Sequence, residues 1–112
     1  MDALATPRMQ AALGLKAGVV TSGNSLDFTS EDMGIMTAHE ACVKEMEAAA
    51  VAWAAGLFAC PMFCVKSVTD IVDGERPAAE EFLENLHHAA DSLQATLPRV
   101  LAFIAGKRYS EL

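Results

Sequence analysis

Residues 41–68 read ACVKEMEAAAVAWAAGLFACPMFCVKSV, and this stretch decides the fold class. Its first five residues have the pattern of a short strand, and an acidic junction follows at residues 45–47. Alanine then dominates as far as residue 58, which favours a helix. Pro61 follows that helix, and residues 62–68 have the apolar character of a strand buried in an α/β protein. A strand, a helix and a second strand in this order predict an α/β fold with a mainly parallel sheet.

Further elements are predicted on both sides of this stretch. Residues 17–22 indicate a strand that stops at the turn-forming residues 23–25. Residues 29–32, Thr-Ser-Glu-Asp, indicate the start of a helix, because a hydroxyl can cap its amides and acids lie at its positive end. After a polar loop at 69–77, apolar residues at three- and four-residue steps predict a long helix that Pro98 should kink or split. They are Phe82, Leu86, Ala89, Leu93, Leu97, Val100, Leu101 and Ile104.

The composition excludes several classes of protein. A chain of 112 residues is long enough for one small domain. With 53% hydrophobic and 21% charged residues it has the composition of a folded chain. Its net charge of -7 would repel a phosphate backbone or an anionic membrane surface, so neither nucleic acid nor a membrane is an expected partner.

The apolar run at 48–65 approaches the length of a membrane-spanning helix. Gly56 and Pro61 interrupt it, and charged residues stand at both of its ends. We therefore expect a buried helix followed by a buried strand. The first ten residues also lack the apolar core of a secretory signal.

The three cysteines, Cys42, Cys60 and Cys64, are an odd number without metal-binding spacing. On one strand, Cys60 and Cys64 would be about 13 Å apart, which is beyond the reach of a disulfide. They are therefore expected to be buried, reduced thiols in a cytosol-like compartment.

Polar segments follow all three predicted strands, at residues 22–27, 45–47 and 69–70. The carboxyl ends of parallel strands meet at one edge of a sheet, so these segments should converge on a ligand site. The carboxylate of Glu47 can accept two hydrogen bonds from a vicinal diol such as that of ribose, or it can simply favour a helix N-terminus. Asp70 suits a general acid, or it can open an Asx turn.

These segments together resemble the nucleoside phosphorylase family, and most closely its plant-type 5'-methylthioadenosine nucleosidases. The similar stretches are residues 18–32, 43–53 and 65–74, the last continuing into 80–86. The resemblance covers residues 13–107, leaving 1–12 unassigned and 108–112 as a tail. It implies the C-terminal half of a three-layer α/β domain about twice this length, with flanking helices around a mainly parallel or mixed sheet.

The resemblance also implies an activity. It is hydrolysis of the N-glycosidic bond of 5'-methylthioadenosine to adenine and 5-methylthioribose, in methionine salvage, by a cytoplasmic homodimer without cofactor or metal. A purine nucleoside phosphorylase is an alternative. So is a truncated product that binds a nucleoside or dimerises without turnover, because the family's water-activating glutamate belongs to the N-terminal half.

Site residues carried over from the family fall on the three polar segments or, for Lys44 and Lys66, shortly before them. Asp70 matches the catalytic acid, which gives a proton to purine N7. The ribose ligands are Met46 and Glu47, and the adjoining wall of the substrate site is Lys44 and Glu45. The adenine contacts are Leu26 and Asp27, and Lys66 falls where related enzymes carry a cation near the attacking water.

Two departures from the family concern the ends of helices. Ala59 stands where the family often has a helix-ending glycine. Residues 78–79 are alanines where hydroxyls often cap the last helix. Each lost cap is expected to cost about 1 kcal/mol.

Overall fold

The structure is a computed structural model that describes residues 3–112 in two compact units. The first unit contains residues 3–4 together with Ala17–Cys64. The second contains Ala5–Lys16 together with Val65–Leu112. The residues that the family resemblance assigns to adenine and ribose binding, at 26–27 and 46–47, therefore lie in the first unit. Asp70 lies in the second.

The first unit is a β-α-β arrangement followed by a helix. Strand β1 is Val19–Ser22, helix α2 is Ser30–Ala38, strand β2 is Ala41–Glu45 and helix α3 is Ala48–Leu57. The two strands pair in parallel, as strands joined by a helical crossover do. The predicted α/β class with a parallel sheet is confirmed, and β2 covers the predicted residues 41–45.

A β-bulge interrupts the pairing of the two strands. The register shifts between Val19 and Val20, which leaves Cys42 unopposed on β2. Gly18 lies against this extra residue, where a Cβ would be 2.7 Å from the Cβ and Sγ atoms of Cys42. A residue without a side chain is therefore required at position 18 for the close approach.

Helix α2 starts with the capping box that residues 29–32 indicate. The backbone N–H of Asp32 donates to Thr29 Oγ1 at 3.1 Å, and the N–H of Thr29 donates to Asp32 Oδ2 at 2.7 Å. These reciprocal bonds satisfy amides that the first turn of a helix leaves open. Hydrogen bonding to the backbone and hydroxyl of Thr29, with a contribution from the Lys44 charge, lowers the pKa of Asp32.

Helix α3 ends in a Schellman motif around Ala59. The N–H of Cys60 donates to the carbonyl of Ala55 at 2.9 Å, and that of Ala59 donates to Gly56 at 3.1 Å. Ala59 has a φ of 49°, in the left-handed region where glycine is usual. The alanine noted in the sequence thus occupies the position at which the motif prefers glycine.

The second unit is built on two helices. Helix α1 is Pro7–Leu13, helix α4 is Ala78–Ile104, and a 3₁₀ turn, Tyr109–Glu111, follows. Helix α1 packs against α4, and the backbone N–H of Met9 donates to the carbonyl of Leu112 at 2.8 Å. All of the buried side chains among the described residues belong to this unit: Thr6, Met9, Ala89, Val100 and Leu112.

Helix α4 follows the predicted apolar periodicity in part. It continues through Pro98 without splitting. Ala89 and Val100 are buried, and Phe82, Leu93 and Ile104 are half-buried. Three members of the predicted stripe are exposed instead: Leu86, Leu97 and Leu101. As the Ala-Ala sequence suggests, no side chain caps its N-terminus.

The prediction of a strand at residues 62–68 is wrong for the described part of the chain. Residues 63, 65 and 67 are half-buried and 64, 66 and 68 are exposed, an alternation typical of strands, yet the segment joins no sheet. A strand exists only through a partner that accepts its backbone hydrogen bonds. In residues 3–112, β1 and β2 pair with each other and no third strand accompanies them.

The predicted burial of residues 48–65 and of the cysteines is also wrong. Trp53 is 71% exposed and Phe58 82% exposed, and the thiols of Cys42, Cys60 and Cys64 are exposed and free. An apolar face is buried only by a second layer of structure, and no described residue of the first unit is fully covered. No helix of residues 3–112 has the length and apolarity that crossing a membrane requires.

Candidate functional site

The carboxyl ends of β1 and β2 bring two of the three predicted polar segments together. Ser22, the last residue of β1, pairs with Glu45, the last residue of β2. The N–H of Gly23 donates to the carbonyl of Glu45 at 2.9 Å, which continues the pairing into the first segment. Residues 22–27 and 45–47 therefore start from the same edge of the sheet, as expected for parallel strands.

The carboxylate of Glu45 caps helix α3. It accepts from the N–H of Ala48 at 3.0 and 2.8 Å through its two oxygens, and from the N–H of Glu47 at 3.0 Å. The hydroxyl of Ser22 also donates to Glu45, and it accepts from the N–H of Ala49 at 2.9 Å. A negative group at this end of a helix is electrostatically favourable. Glu45 and Ser22 together thus satisfy the first amides of α3.

Glu47 occupies the N-cap position of α3 without capping it. Its Oε2 atom accepts from the backbone N–H of Met46 at 3.1 Å, and its side chain is exposed. Within the described part of the chain, Oε1 of Glu47 has no hydrogen-bond partner. Met46 beside it is 45% exposed. The geometry holds one carboxylate oxygen against the backbone and leaves the other open to a ligand hydroxyl.

Lys44 organises the loop that follows β1. Its ammonium group donates to the carbonyl of Ser25 at 2.5 Å and to that of Leu26 at 3.2 Å. The side chain of Leu26 is 53% exposed, and that of Asp27 is also exposed. Lys44 therefore fixes the backbone of the segment that carries the two predicted adenine contacts.

In the second unit, Asp70 is half-buried beside helix α4. The hydroxyl of Thr69 donates to Asp70 Oδ1 at 2.5 Å, and the amide of Asn85 donates to the carbonyl of Thr69 at 3.0 Å. The bond from Asn85 attaches the Thr69-Asp70 segment to the helix. An open depression of about 250 Å³ is lined by Val68, Thr69, Asp70, Ile71, Glu81, Asn85 and His88.

A bidentate ion pair attaches the loop after Asp70 to helix α4. The guanidinium of Arg76 donates to both carboxylate oxygens of Glu84 on α4, each at 2.8 Å. Hydrogen bonding and charge from Arg76 lower the pKa of Glu84. Both groups are exposed, so the pair contributes orientation more than stability.

Four residues of these two regions, Ser22, Glu81, Asn85 and His88, were not among the predicted site residues. Ser22 lies in a predicted segment, but its bonds to Glu45 and α3 become apparent only once the strand register is known. Asn85 and His88 line the depression beside Asp70 together with Glu81. Their steps of four and three residues place the three on one face of a helix, which is a signal that the sequence does contain.

The predicted cation Lys66 is exposed and lies in the second unit, on the segment that leads to Asp70. In the part of the chain that the structure describes, no three metal-binding side chains are grouped as a metal site would require.

Comparison with known proteins gives a consistent result. A family model described as "Phosphorylase superfamily" matches residues 3–104. A 5'-methylthioadenosine/S-adenosylhomocysteine nucleosidase of Arabidopsis thaliana is 47% identical over 107 residues, which are 96% of this chain and 42% of that protein. A 5'-methylthioadenosine nucleosidase of the same plant is 43% identical over 111 residues, which are 99% of this chain and 42% of that protein.

Over the full length of this chain, the fold agrees with that of a solved relative. The structure of Arabidopsis thaliana 5'-methylthioadenosine nucleosidase in its apo form is similar with a TM-score of 0.94 and 42% sequence identity. The similarity covers 100% of this chain and 46% of that chain. The chain thus spans less than half the length of the relatives it matches.

Proposed function

This chain belongs to the phosphorylase superfamily, and we propose that the protein hydrolyses the N-glycosidic bond of 5'-methylthioadenosine, releasing adenine and 5-methylthioribose. The similar plant proteins bear the names of nucleosidases that act on this substrate. The chemistry of the two candidate carboxylates supports the proposal.

The observation that carries the proposal is the open carboxylate oxygen of Glu47 beside Met46. Loss of the base leaves positive charge on the ribose, and a fixed carboxylate stabilises that charge as it develops. Glu47 has one oxygen held by the N–H of Met46 at 3.1 Å, so the other can accept from a ribose hydroxyl without rearrangement.

Asp70 serves in this proposal as the general acid. Protonation of purine N7 lets adenine leave as a neutral molecule, which removes the cost of expelling an anion. The hydroxyl of Thr69 occupies Oδ1 of Asp70 at 2.5 Å, so Oδ2 is the oxygen that can carry the proton.

The remaining predicted residues take supporting roles. Leu26 and Asp27 contact adenine, Lys44 and Glu45 border the sugar, and Lys66 supplies a cation near the attacking water. We place the phosphorylase-like part at residues 13–107. We further propose that the protein is a cytoplasmic homodimer acting in methionine salvage.

A second candidate function is nucleoside binding without hydrolysis. The glutamate that activates water in the resembled family lies on a strand of the N-terminal half, and residues 3–112 contain no strand besides β1 and β2. The Glu47 and Asp70 sites would then bind the sugar and the base, while the attacking water would lack its base.

Adenine release from methylthioadenosine, measured with and without phosphate on the 112-residue chain, tests the proposal. Phosphate-independent release that Asp70→Asn and Glu47→Gln each reduce at least about 100-fold supports hydrolysis. The control Asp73→Asn, an exposed acid in the same loop, should keep the activity of the parent chain.

The other outcomes of this assay separate the alternatives. Release that requires phosphate would identify a phosphorylase. Calorimetric binding of methylthioadenosine without release, weakened by Glu47→Gln, would identify the second function. Absence of both binding and release would contradict both functions for this chain.

A further inference from the structure

We propose that Ser22 and Glu45 are positioning residues, which hold the backbone at Glu47 so that its carboxylate meets the ribose diol. This inference rests on the proposed role of Glu47. It gives Glu45 a different task from bordering the sugar directly, because its carboxylate is directed at the N-terminus of α3.

The hydrogen bonds of Glu45 carry the first step. Both of its carboxylate oxygens accept from backbone amides, with Ala48 at 2.8 and 3.0 Å and Glu47 at 3.0 Å. A carboxylate with two or three amide donors is strongly held in place. Its position at the positive end of α3 adds to that hold. Glu45 therefore acts on the protein's own backbone.

Ser22 links this capping carboxylate to the neighbouring strand. Its hydroxyl donates to Glu45 and accepts from the N–H of Ala49 at 2.9 Å. A single hydroxyl thus ties the end of β1, the end of β2 and the first turn of α3 together. Alanine at position 22 would leave the N–H of Ala49 and one side of the Glu45 carboxylate without this link.

The result is a defined conformation at Glu47. Its N–H is bound to Glu45, and its φ and ψ are -121° and -33°. Its own Oε2 accepts from the backbone N–H of Met46 at 3.1 Å, which fixes the position of the carboxylate relative to the backbone. Because each bond fixes a neighbouring group, the orientation of the free oxygen depends on Ser22 and Glu45, which have no need to touch a ligand.

The β-bulge at Cys42 is an independent observation that points to the same pair. Val19 pairs with Ala41, so a regular ladder would place Ser22 opposite Lys44. The extra residue Cys42 moves the partner of Ser22 to Glu45. A shift of one residue also exchanges the two faces of a strand. The bulge therefore places a carboxylate, in place of an ammonium group, beside the serine hydroxyl.

The test compares variants of the 112-residue chain by two measurements. The first is amide hydrogen exchange at Glu47, Ala48 and Ala49. The second is the ratio of affinities for methylthioadenosine and its 2',3'-dideoxy analogue, which lacks the diol. The variants are Glu45→Gln, Ser22→Ala and Ser22→Thr, with Ala54→Gly as a control that weakens α3 while leaving its capping groups intact.

We expect Glu45→Gln to speed exchange at Glu47 and Ala48, and Ser22→Ala to speed it at Ala49. Both should reduce the preference for the diol about tenfold, as loss of one hydrogen bond to a charged group does, and leave the affinity for the dideoxy analogue unchanged. Ser22→Thr keeps the hydroxyl and should restore both properties. Ala54→Gly should leave the preference for the diol intact.

Several results would overturn the inference. They are unchanged exchange at Ala48 in Glu45→Gln, an unchanged diol preference in Ser22→Ala, or equal loss of affinity for both nucleosides in Glu45→Gln. The last would mean that Glu45 contacts the ligand itself. If the parent chain binds neither nucleoside, the proposed function fails and the role assigned to the pair fails with it. If the two variants still speed amide exchange as expected in that case, Ser22 and Glu45 are helix caps only.

Discussion

Ala59 and Glu45 show how single residues decide local structure in this chain. Both stand at an end of α3, where backbone groups lack partners within the helix. Glu45 satisfies the amides at the start with its carboxylate, at distances of 2.8–3.0 Å. At the end, the N–H groups of Ala59 and Cys60 donate to the carbonyls, and this requires Ala59 to adopt a φ of 49°. The start of α3 is therefore capped without strain, and the backbone at its end is strained.

Replacing Ala59 by glycine should stabilise the first unit. Glycine adopts a positive φ without the steric cost of a Cβ, and part of that gain is offset by its greater freedom when unfolded. We expect the free energy of unfolding to rise by about 0.5–1 kcal/mol, measured by urea denaturation followed through Trp53 fluorescence. The control Ala54→Gly, the same change inside the helix, should lower it by a similar amount. A lower free energy of unfolding in Ala59→Gly would show that the positive φ of Ala59 does not strain the fold.

At the scale of the elements, sequence patterns were informative where an element is stabilised by its own residues. The capping box of α2 and the strand at 41–45 were both predictable, because their signals are local. Helix α1 was missed, since its seven residues are held by packing on α4 and by the bond from Met9 to Leu112. The strand at 62–68 was predicted wrongly because a ladder depends on a neighbour that local sequence does not reveal.

The capping box of α2 makes a prediction about pH. Since the pKa of Asp32 lies below its ordinary value of 3.8, the capping interaction stabilises the fold above that pH. The contribution is lost as the pH falls through the lowered pKa. Replacing Thr29 by alanine removes the hydroxyl and keeps the backbone N–H. We therefore expect the pKa of Asp32 to rise part of the way towards 3.8 in a carbon-13 NMR titration.

Thr37→Ala is the matched control for this titration. Thr37 lies on the same helix and donates to the carbonyl of Met33 at 2.8 Å. It makes no bond to Asp32, so the pKa of Asp32 should stay at its parent value. An equal rise in both variants would show that helix stability in general, and not the capping box, sets that pKa.

At the scale of the whole molecule, the apolar residues are distributed unevenly between the two units. Met9, Ala89, Val100 and Leu112 are buried in the second unit. In the first unit, α3 exposes Val51, Trp53 and Leu57, and Phe58 directly after the helix is also exposed. The amino-acid sequence showed that α3 is apolar, and it could not show which layer, if any, covers it. This is why the prediction of a buried helix was wrong while the prediction of a helix was correct.

The exposure of α3 predicts how the chain behaves in solution. Phe58 is 82% exposed, so Phe58→Lys should change the free energy of unfolding by less than about 0.5 kcal/mol. The same change should reduce concentration-dependent self-association in sedimentation velocity, because it places a charge on the apolar surface. Val100→Lys in the second unit, where the side chain is 3% exposed, should unfold that unit. Strong destabilisation by Phe58→Lys would contradict the described exposure.

The bulge at Cys42 limits how this part of the chain can vary in length. Insertions into the loop between Gly23 and Phe28 add residues before α2 and leave the pairing of Ser22 with Glu45 unchanged. An insertion of one residue between Ala41 and Glu45 would instead move Lys44 opposite Ser22 and turn the acidic residue away from the serine. The two segments therefore differ sharply in their tolerance of length variation, and the loop is the one free to lengthen.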